Sequence, residues 1–351
     1  MVAPLNWGLG HATRCIPIIK ELVRAGVEVI IAADGRPLKL LKQEFPNLHY
    51  ISLPGYNLLY TGKRTMGFQI FLGTPKIFWE IFKEHQALKS IIRENNIDAV
   101  ISDNRYGMWN QNVRSIFITH QVMIKCSSRL RFLEPLLRAI TGFFIKKYDE
   151  CWVPDHEGKD NFSGDLSHKY KYSNMRYVGP ISRFLGKKSK KSRQYDLLVS
   201  LSGPEPQRTI FEKLVLSQLK QNKLKTIVVN GTLDSDILES QNGLIFHSHL
   251  ETEEMEEAMS DSKLVLSRPG YSTIMDLAVT GNKAIFVPTP GQTEQEYLAN
   301  RLEAKGLFYH EDQSGFDLKR ALKRAIAYKG FSEFEETDCM KTVVANLAKG
   351  L

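Results

Sequence analysis

The chain has 351 residues, 42% hydrophobic and 25% charged, which is enough to bury two cores and rules out a disordered or collagen-like polymer. Its 47 Lys and Arg against 39 Asp and Glu leave a formal charge of +8, favouring anionic partners such as nucleotides, phospholipid surfaces or nucleic acid without choosing among them. Cys15, Cys126, Cys151 and Cys339 form no CxxC or Cys/His cluster, which argues against a zinc site or disulfide framework and fits a reducing cytoplasm. No run of 18 apolar residues occurs, and the opening MVAPLNWGLGH lacks the layout of a signal peptide. The expected location is cytoplasmic, with peripheral attachment to the inner face of the membrane as the remaining option.

Val2 to Leu5 reads as a first strand, followed by a loop from Asn6 to His11. A helix then places Ile16, Ile19, Leu22 and Val23 on one face and stops at Gly26. Val27 to Ala33, Leu48 to Leu53, Ala99 to Ile101, Ile116 to Thr119 and Cys151 to Val153 continue an alternation of short strands and longer amphipathic stretches. That alternation is the signature of a parallel sheet covered by helices, so residues 1–180 are expected to form one doubly wound α/β domain. Residues 181–194, basic and preceded by Gly179-Pro180, read as a linker. A second α/β domain over 195–335 follows from Asp196 to Leu201, Thr226 to Val229, Leu244 to Phe246, Leu264 to Leu266 and Ala284 to Val287. Residues 336–351 are expected to form a helix packing back on the first domain. Two such units face each other across a cleft in this reading, with chemistry in the loops that follow strands.

Gly8-Leu9-Gly10-His11 lets backbone approach a ligand and sets an imidazole at a helix entrance, but it satisfies neither the dinucleotide fingerprint nor the P-loop. A tight turn with a capping histidine reads the same residues equally well. Asp103 closes the strand Asp98 to Ile101 at the same sheet edge, where it can orient His11 as a general base or serve as a helix cap. His120 is a third polar group there, a substrate contact or a structural histidine. In the second half, Ser267-Arg268-Pro269-Gly270-Tyr271-Ser272-Thr273 enters a helix with a glycine and two hydroxyls, an anion site suited to a diphosphate. Asp276 follows by one turn, within reach of ribose hydroxyls. Ser202-Gly203 is a second small-residue loop, readable as donor lining or as a plain turn.

These motifs resemble glycosyltransferases of the GT-B fold, nearest to the MurG-like family 28 enzymes and more distantly the UDP-glycosyltransferases. The resemblance spans nearly the whole chain and implies two Rossmann-like doubly wound domains. It implies a donor site with Gly270, Ser272 and Thr273 by the diphosphate and Asp276 on the ribose, to which the residues themselves add Gly10, Ser202 and Gly203 as candidate lining and Arg268 as a candidate contact to the leaving UDP. Glu294-Gln295 would match the acidic-Gln pair on the sugar, His11 and Asp103 the catalytic dyad, and His120 an acceptor contact. The expected reaction is an inverting, metal-independent transfer of a hexose or N-acetylhexosamine from a UDP-sugar, with no cofactor. The chain departs from the MurG pattern in a less glycine-rich first loop, in Ser202-Gly203-Pro204-Glu205-Pro206, and in Gln295-Glu296 where a Gln-Gln pair is usual. Asp234-Ser235-Asp236 matches the metal-binding DxD of another glycosyltransferase class and is read as a capped loop.

Gly10-His11-Ala12-Thr13-Arg14-Cys15 also resembles the start of pseudaminic-pathway nucleotide-sugar hydrolases, which implies the alternative that His11 activates water. A nucleotide-sugar 2-epimerase would need more carboxylates than Asp103, Glu294 and Glu296, and a non-catalytic nucleotide-binding protein would need neither His11 nor Asp103. Nucleic acid is disfavoured, because the basic residues are spread along the chain. Arg129 to Lys147 combines five basic residues and one acidic residue with Leu, Ile and Phe, and Phe68 to Phe82 is rich in aromatics. Both are too short to span a bilayer. They suit either an anionic membrane surface serving a lipid-linked or glycan acceptor, or core helices with snorkelling basic ends.

Overall fold

The computed structural model describes residues 1–55, 66–186, 192–232, 239–241, 243–331 and 338–351, in two compact units. Residues 1–55, 66–183 and 338–351 make the first unit and the described residues of 184–331 the second. Asp234-Ser235-Asp236 and residues 187–191 of the basic run lie outside the described residues.

The first unit runs β1 (Val2–Pro4), α1 (Leu9–Arg24), β2 (Ile30–Ala33), α2 (Gly35–Glu44), β3 (His49–Ser52), α3 (Met66–Asn95), β4 (Ala99–Asp103), β5 (Arg114–Ile118), α4 (Glu134–Ile145), β6 (Glu150–Val153), α5 (Asp165–His168) and β7 (Met175–Tyr177). Its 7-stranded sheet has the order β3-β2-β1-β4-β5-β6-β7, parallel throughout. β2 and β4 are buried along their whole length, which is why Ile30–Ala33 and the first three residues of β4 are apolar without alternation.

The second unit runs β8 (Leu197–Ser200), α6 (Gln207–Leu219), β9 (Thr226–Val229), β10 (Glu239–Gln241), β11 (Leu244–His247), α7 (Thr252–Ser260), β12 (Leu264–Ser267), α8 (Tyr271–Thr280), β13 (Lys283–Phe286), α9 (Thr293–Ala304), β14 (Tyr309–His310) and α10 (Leu318–Ala325). Its order is β10-β11-β9-β8-β12-β13-β14, with only β10 antiparallel to its neighbour. Apart from β10, both sheets wind outward from a first strand and then reverse, β1 against β4 and β8 against β12. These reversals are the switch points where open α/β sheets bind ligands. Both units are thus Rossmann-like and doubly wound. The last helix, α11 (Cys339–Lys349), packs on α1 within the first unit, burying Met340, Val343 and Val344.

Three features depart from the sequence reading. α1 begins at Leu9, so Gly10 and His11 lie in its first turn and not in a loop. Val23 is 46% exposed, because the buried stripe runs through Ala12, Cys15, Ile16, Ile19 and Leu22. The short strands β7, β10 and β14 carry too few residues for an alternation to register.

α3 attaches to the sheet through Ile81, Glu84 and Leu88, buried at helical spacing. Glu84 Oε1 accepts from Arg105 Nε at 2.5 Å and Glu84 Oε2 from Gly107 N at 2.8 Å. Arg105, fully buried, also donates to the carbonyls of Pro54 at 2.6 Å and Leu53 at 3.3 Å. A Cβ at Gly107 would stand 2.5 Å from Ile81 O, so only glycine admits this approach. Removing one partner of a buried ion pair strands the other, and Glu84→Ala is expected to cost about 3 kcal/mol or more in urea unfolding. A loss within about 1 kcal/mol, the size of a surface pair, would show that the pair does not hold α3 in place.

Candidate functional site

Pro4 on β1 pairs with Asp103 on β4, and Leu5 N donates to Asp103 O at 3.0 Å. The chain then passes through Gly8 at φ 96°, in the left-handed region that suits glycine, and enters α1 at once. His11 therefore sits in the first turn of α1, where the helix's partial positive charge is concentrated, directly above the end of β4.

His11 Nδ1 lies 2.8 Å from Asp103 Oδ1. Arg14, one turn on, donates through Nε to Asp103 Oδ2 at 2.8 Å and through Nη2 to Oδ1. Its Nη1 reaches Nδ1 of His120, after β5, at 3.0 Å. Asp103 is fully buried, Arg14 2% and His120 6% exposed, whereas 15% of the His11 side chain is open to solvent. Of the His11–Asp103 pair, only His11 is therefore open to a ligand, and Asp103 acts through it. Burial alone would raise the Asp103 carboxyl, but Arg14 and His11 outweigh it and hold the group well below the usual carboxylate range. Cys15 Sγ stands 3.7 Å from Asp103 Oδ2, and burial, reinforced by that charge, pushes its thiol well up, so it is no nucleophile.

The structure thus gathers His11, Asp103 and His120, with Gly10 beside them in the same helical turn. Arg14 is the residue the sequence reading passed over. Its signal was the three-residue spacing from His11, which puts both on one helix face.

At the second switch point, Ser202 is exposed after β8 and Gly203 turns at φ 115°. A Cβ on Gly203 would lie 3.8 Å from Oγ1 of Thr289, a buried hydroxyl with no hydrogen-bond partner among the described residues, as is that of Ser267 at the end of β12. Native interiors seldom leave such groups unmatched. Gly270 is the N-cap of α8 and has no side chain to cap it; Ser272 and Thr273 are half-buried in the first turn and Asp276 in the next.

Two residues assigned to donor binding serve the scaffold. Arg268 is 1% exposed and stacks at 4.1 Å on Phe211, donating to the carbonyls of Val287 at 2.8 Å, Pro288 at 3.0 Å and Gln207 at 3.2 Å. Its guanidinium also meets Gln313 at Oε1, so protein acceptors occupy the fork that was expected near the leaving UDP. Gln295, also buried, accepts from Thr289 N at 2.8 Å, and Glu296 from Gly291 N at 2.9 Å, so both brace the loop before α9. Glu294, half-buried in the first turn of α9, is the member of the pair nearer to solvent.

Residues 207–349 match the glycosyltransferase family 28 C-terminal domain, and residues 6–116 match the glycosyl transferase family 1 model. A Methanosarcina mazei protein described as an uncharacterized glycosyltransferase is 24% identical over 331 residues, covering 85% of this chain and 82% of the relative. A UDP-N-acetylglucosamine--N-acetylmuramyl-(pentapeptide) pyrophosphoryl-undecaprenol N-acetylglucosamine transferase from Methylobacterium nodulans is 41% identical over 64 residues, 18% of this chain and 17% of that protein. Among solved structures, MurG of Acinetobacter baumannii superposes with a TM-score of 0.59 at 14% identity, covering 100% of this chain and 99% of that one. LpCGTa in complex with UDP superposes with a TM-score of 0.60 at 10% identity, covering 99% of this chain and 93% of that one. Two sheets wound alike, residues 6–116 matching one glycosyltransferase model and residues 207–349 matching the family 28 C-terminal domain identify this chain as a glycosyltransferase of the GT-B fold.

Proposed function

We propose that the protein moves a hexose or N-acetylhexosamine from a UDP-sugar to a lipid-linked or glycan acceptor, inverting the anomeric configuration and using no metal. The observation that carries this reading is the buried, ionised Asp103 holding His11 Nδ1 at 2.8 Å. That bond leaves Nε2 of His11 as the basic atom. His11 takes the proton of the acceptor hydroxyl as its oxygen attacks the anomeric carbon, and the bond from that carbon to the UDP oxygen breaks. The glycine-capped start of α8, with Ser272 and Thr273, receives the diphosphate, where N–H groups and the helix end offset its charge. Asp276 holds the ribose, Gly10, Ser202 and Gly203 leave room for the donor, and Glu294 meets sugar hydroxyls. The UDP bound to LpCGTa and the name of the Methylobacterium nodulans relative support a UDP-sugar donor.

A lipid-linked acceptor is supported by one face of the first unit. Phe78, Trp79 and Phe82 of α3 and Phe132, Leu136 and Phe143 in and before α4 are 41–74% exposed. The two helices meet where Phe78 and Phe144 rings lie 6.0 Å apart. Arg129, Arg131, Arg138, Lys146 and Lys147 are exposed in the same segment, and Lys147 stands 5.0 Å over the Phe143 ring. Aromatic rings among cations suit an anionic headgroup layer. α4 thus divides the two sequence readings, with Thr141, Phe144 and Ile145 buried and the opposite face open. Side chains of 66–74 lie outside the described residues, and among the described residues no helix is long and apolar enough to cross a membrane.

UDP release from a panel of UDP-sugars, with and without membrane lipid extract, tests the reading when sugar and lipid products are followed by mass spectrometry. Lipid-dependent release with a glycosylated lipid is expected, while free sugar released without lipid would make the reaction a hydrolysis. His11→Ala should lower turnover about a hundredfold or more with UDP affinity nearly unchanged; near-normal turnover would remove His11 from the mechanism. Charge reversal at Arg129, Arg131 and Lys147 should weaken partitioning onto anionic liposomes by about 1 kcal/mol per residue, and unchanged partitioning would sink the membrane surface.

A further inference from the structure

Among the described residues, His11, Arg14 and Cys15 meet Asp103, and Arg14 also reaches beyond it. Arg14 spans the carboxylate with Nε and Nη2 and extends Nη1 to His120, joining two histidines that come from α1 and from the loop after β5. Among the described residues, the ionisable groups bonded to one another at this point include His11, Arg14 and Cys15 on α1, Asp103 on β4 and His120 after β5. Their donor and acceptor capacities fix where each ring proton lies.

A guanidinium has only N–H donors, so at 3.0 Å from Arg14 Nη1 the Nδ1 of His120 must accept. The neutral His120 ring then carries its proton on Nε2. An ionised carboxylate only accepts, so at 2.8 Å from Asp103 Oδ1 the Nδ1 of His11 must donate, and the lone pair of His11 lies on Nε2. Arg14 Nη2 also passes 3.2 Å from His11 Nδ1, but its own bond to Asp103 Oδ1 is the shorter one, so His11 keeps its proton on Nδ1.

We propose that Arg14 is a positioning residue that holds His11 and His120 in opposite tautomers, giving the site one ring with a basic Nε2 and one with an Nε2–H donor. A base takes the proton from an incoming hydroxyl; a neutral N–H donor steadies an oxygen on which negative charge is growing and does not compete for that proton. Lysine cannot replace Arg14 here, since a single ammonium has no planar fork to span Asp103 and reach His120 together. The catalytic consequence rests on the transferase reading above, whereas the tautomers themselves do not.

The test is a long-range ¹H–¹⁵N correlation on the full chain labelled with ¹⁵N-histidine, near neutral pH, the two rings being assigned with His11→Gln and His120→Gln. The wild-type spectrum should show His11 protonated on Nδ1 and His120 on Nε2; the same tautomer at both, or a proton on His120 Nδ1, overturns the proposal without any variant at Arg14 having to fold. In Arg14→Lys, His120 should become a mixture of tautomers while His11 stays on Nδ1, and turnover should fall roughly tenfold to a hundredfold with the donor KM unchanged. A pure Nε2–H His120 in that variant would show that Arg14 does not set it. If the tautomers are found as stated but no sugar reaches any acceptor, the transferase reading fails and the role of Arg14 in setting the rings stands.

Discussion

Asp103 is a carboxylate with no exposed surface at the end of a buried strand, and an unmatched charge there would cost several kcal/mol even after the protein relaxed around it. It stays ionised because α1 supplies two partners one turn apart, His11 and Arg14, each within hydrogen-bond reach. That requirement fixes the start of α1. The helix must begin at Leu9, immediately after the left-handed turn at Gly8, for both side chains to fall over the end of β4. The parallel pairing of Pro4 with Asp103 sets the height at which the two elements meet. A shift of one residue along either element would turn His11 or Arg14 away and leave the carboxylate buried without its counterions.

The second unit solves a related problem with neutral groups. Among the described residues its switch point holds no buried carboxylate; instead it has the glycine turn at Gly203, a helix start without a capping side chain, and buried hydroxyls on Ser267 and Thr289 that find no partner among the described residues. Arg268, Gln295 and Glu296 lie in this region and bond backbone carbonyls and amides. They stiffen the loops after β12 and β13. A rigid frame around unsatisfied donors and a helix terminus is what anion binding requires, because the donors need no reorganisation when the ligand arrives.

Buried polar side chains in both units follow one rule. Arg105 ties three carbonyls from two segments to Glu84, as Arg268 ties three others from two segments, and each guanidinium gathers chain that the sheets bring together at their carboxyl ends. Such residues look the same in sequence as ligand-binding arginines. A basic residue beside a glycine-rich loop is equally compatible with a phosphate outside or with carbonyls inside, and only the direction of the side chain separates the two.

The sequence by itself determined the two α/β units and the strands that form their cores, because buried parallel strands are built mainly of apolar residues. It also singled out His11 and Asp103, through a helix entrance and a strand end that parallel topology brings to one edge. Tertiary structure decided the rest. That Arg14 joins Asp103 to His120, that Arg268 turns inward onto Phe211, and that Trp79, Phe132 and Phe143 stay exposed depend on contacts between residues distant in the chain. Local pattern reports which face of an element is apolar, but the direction of a long polar side chain follows from which acceptors the folded chain places within its reach.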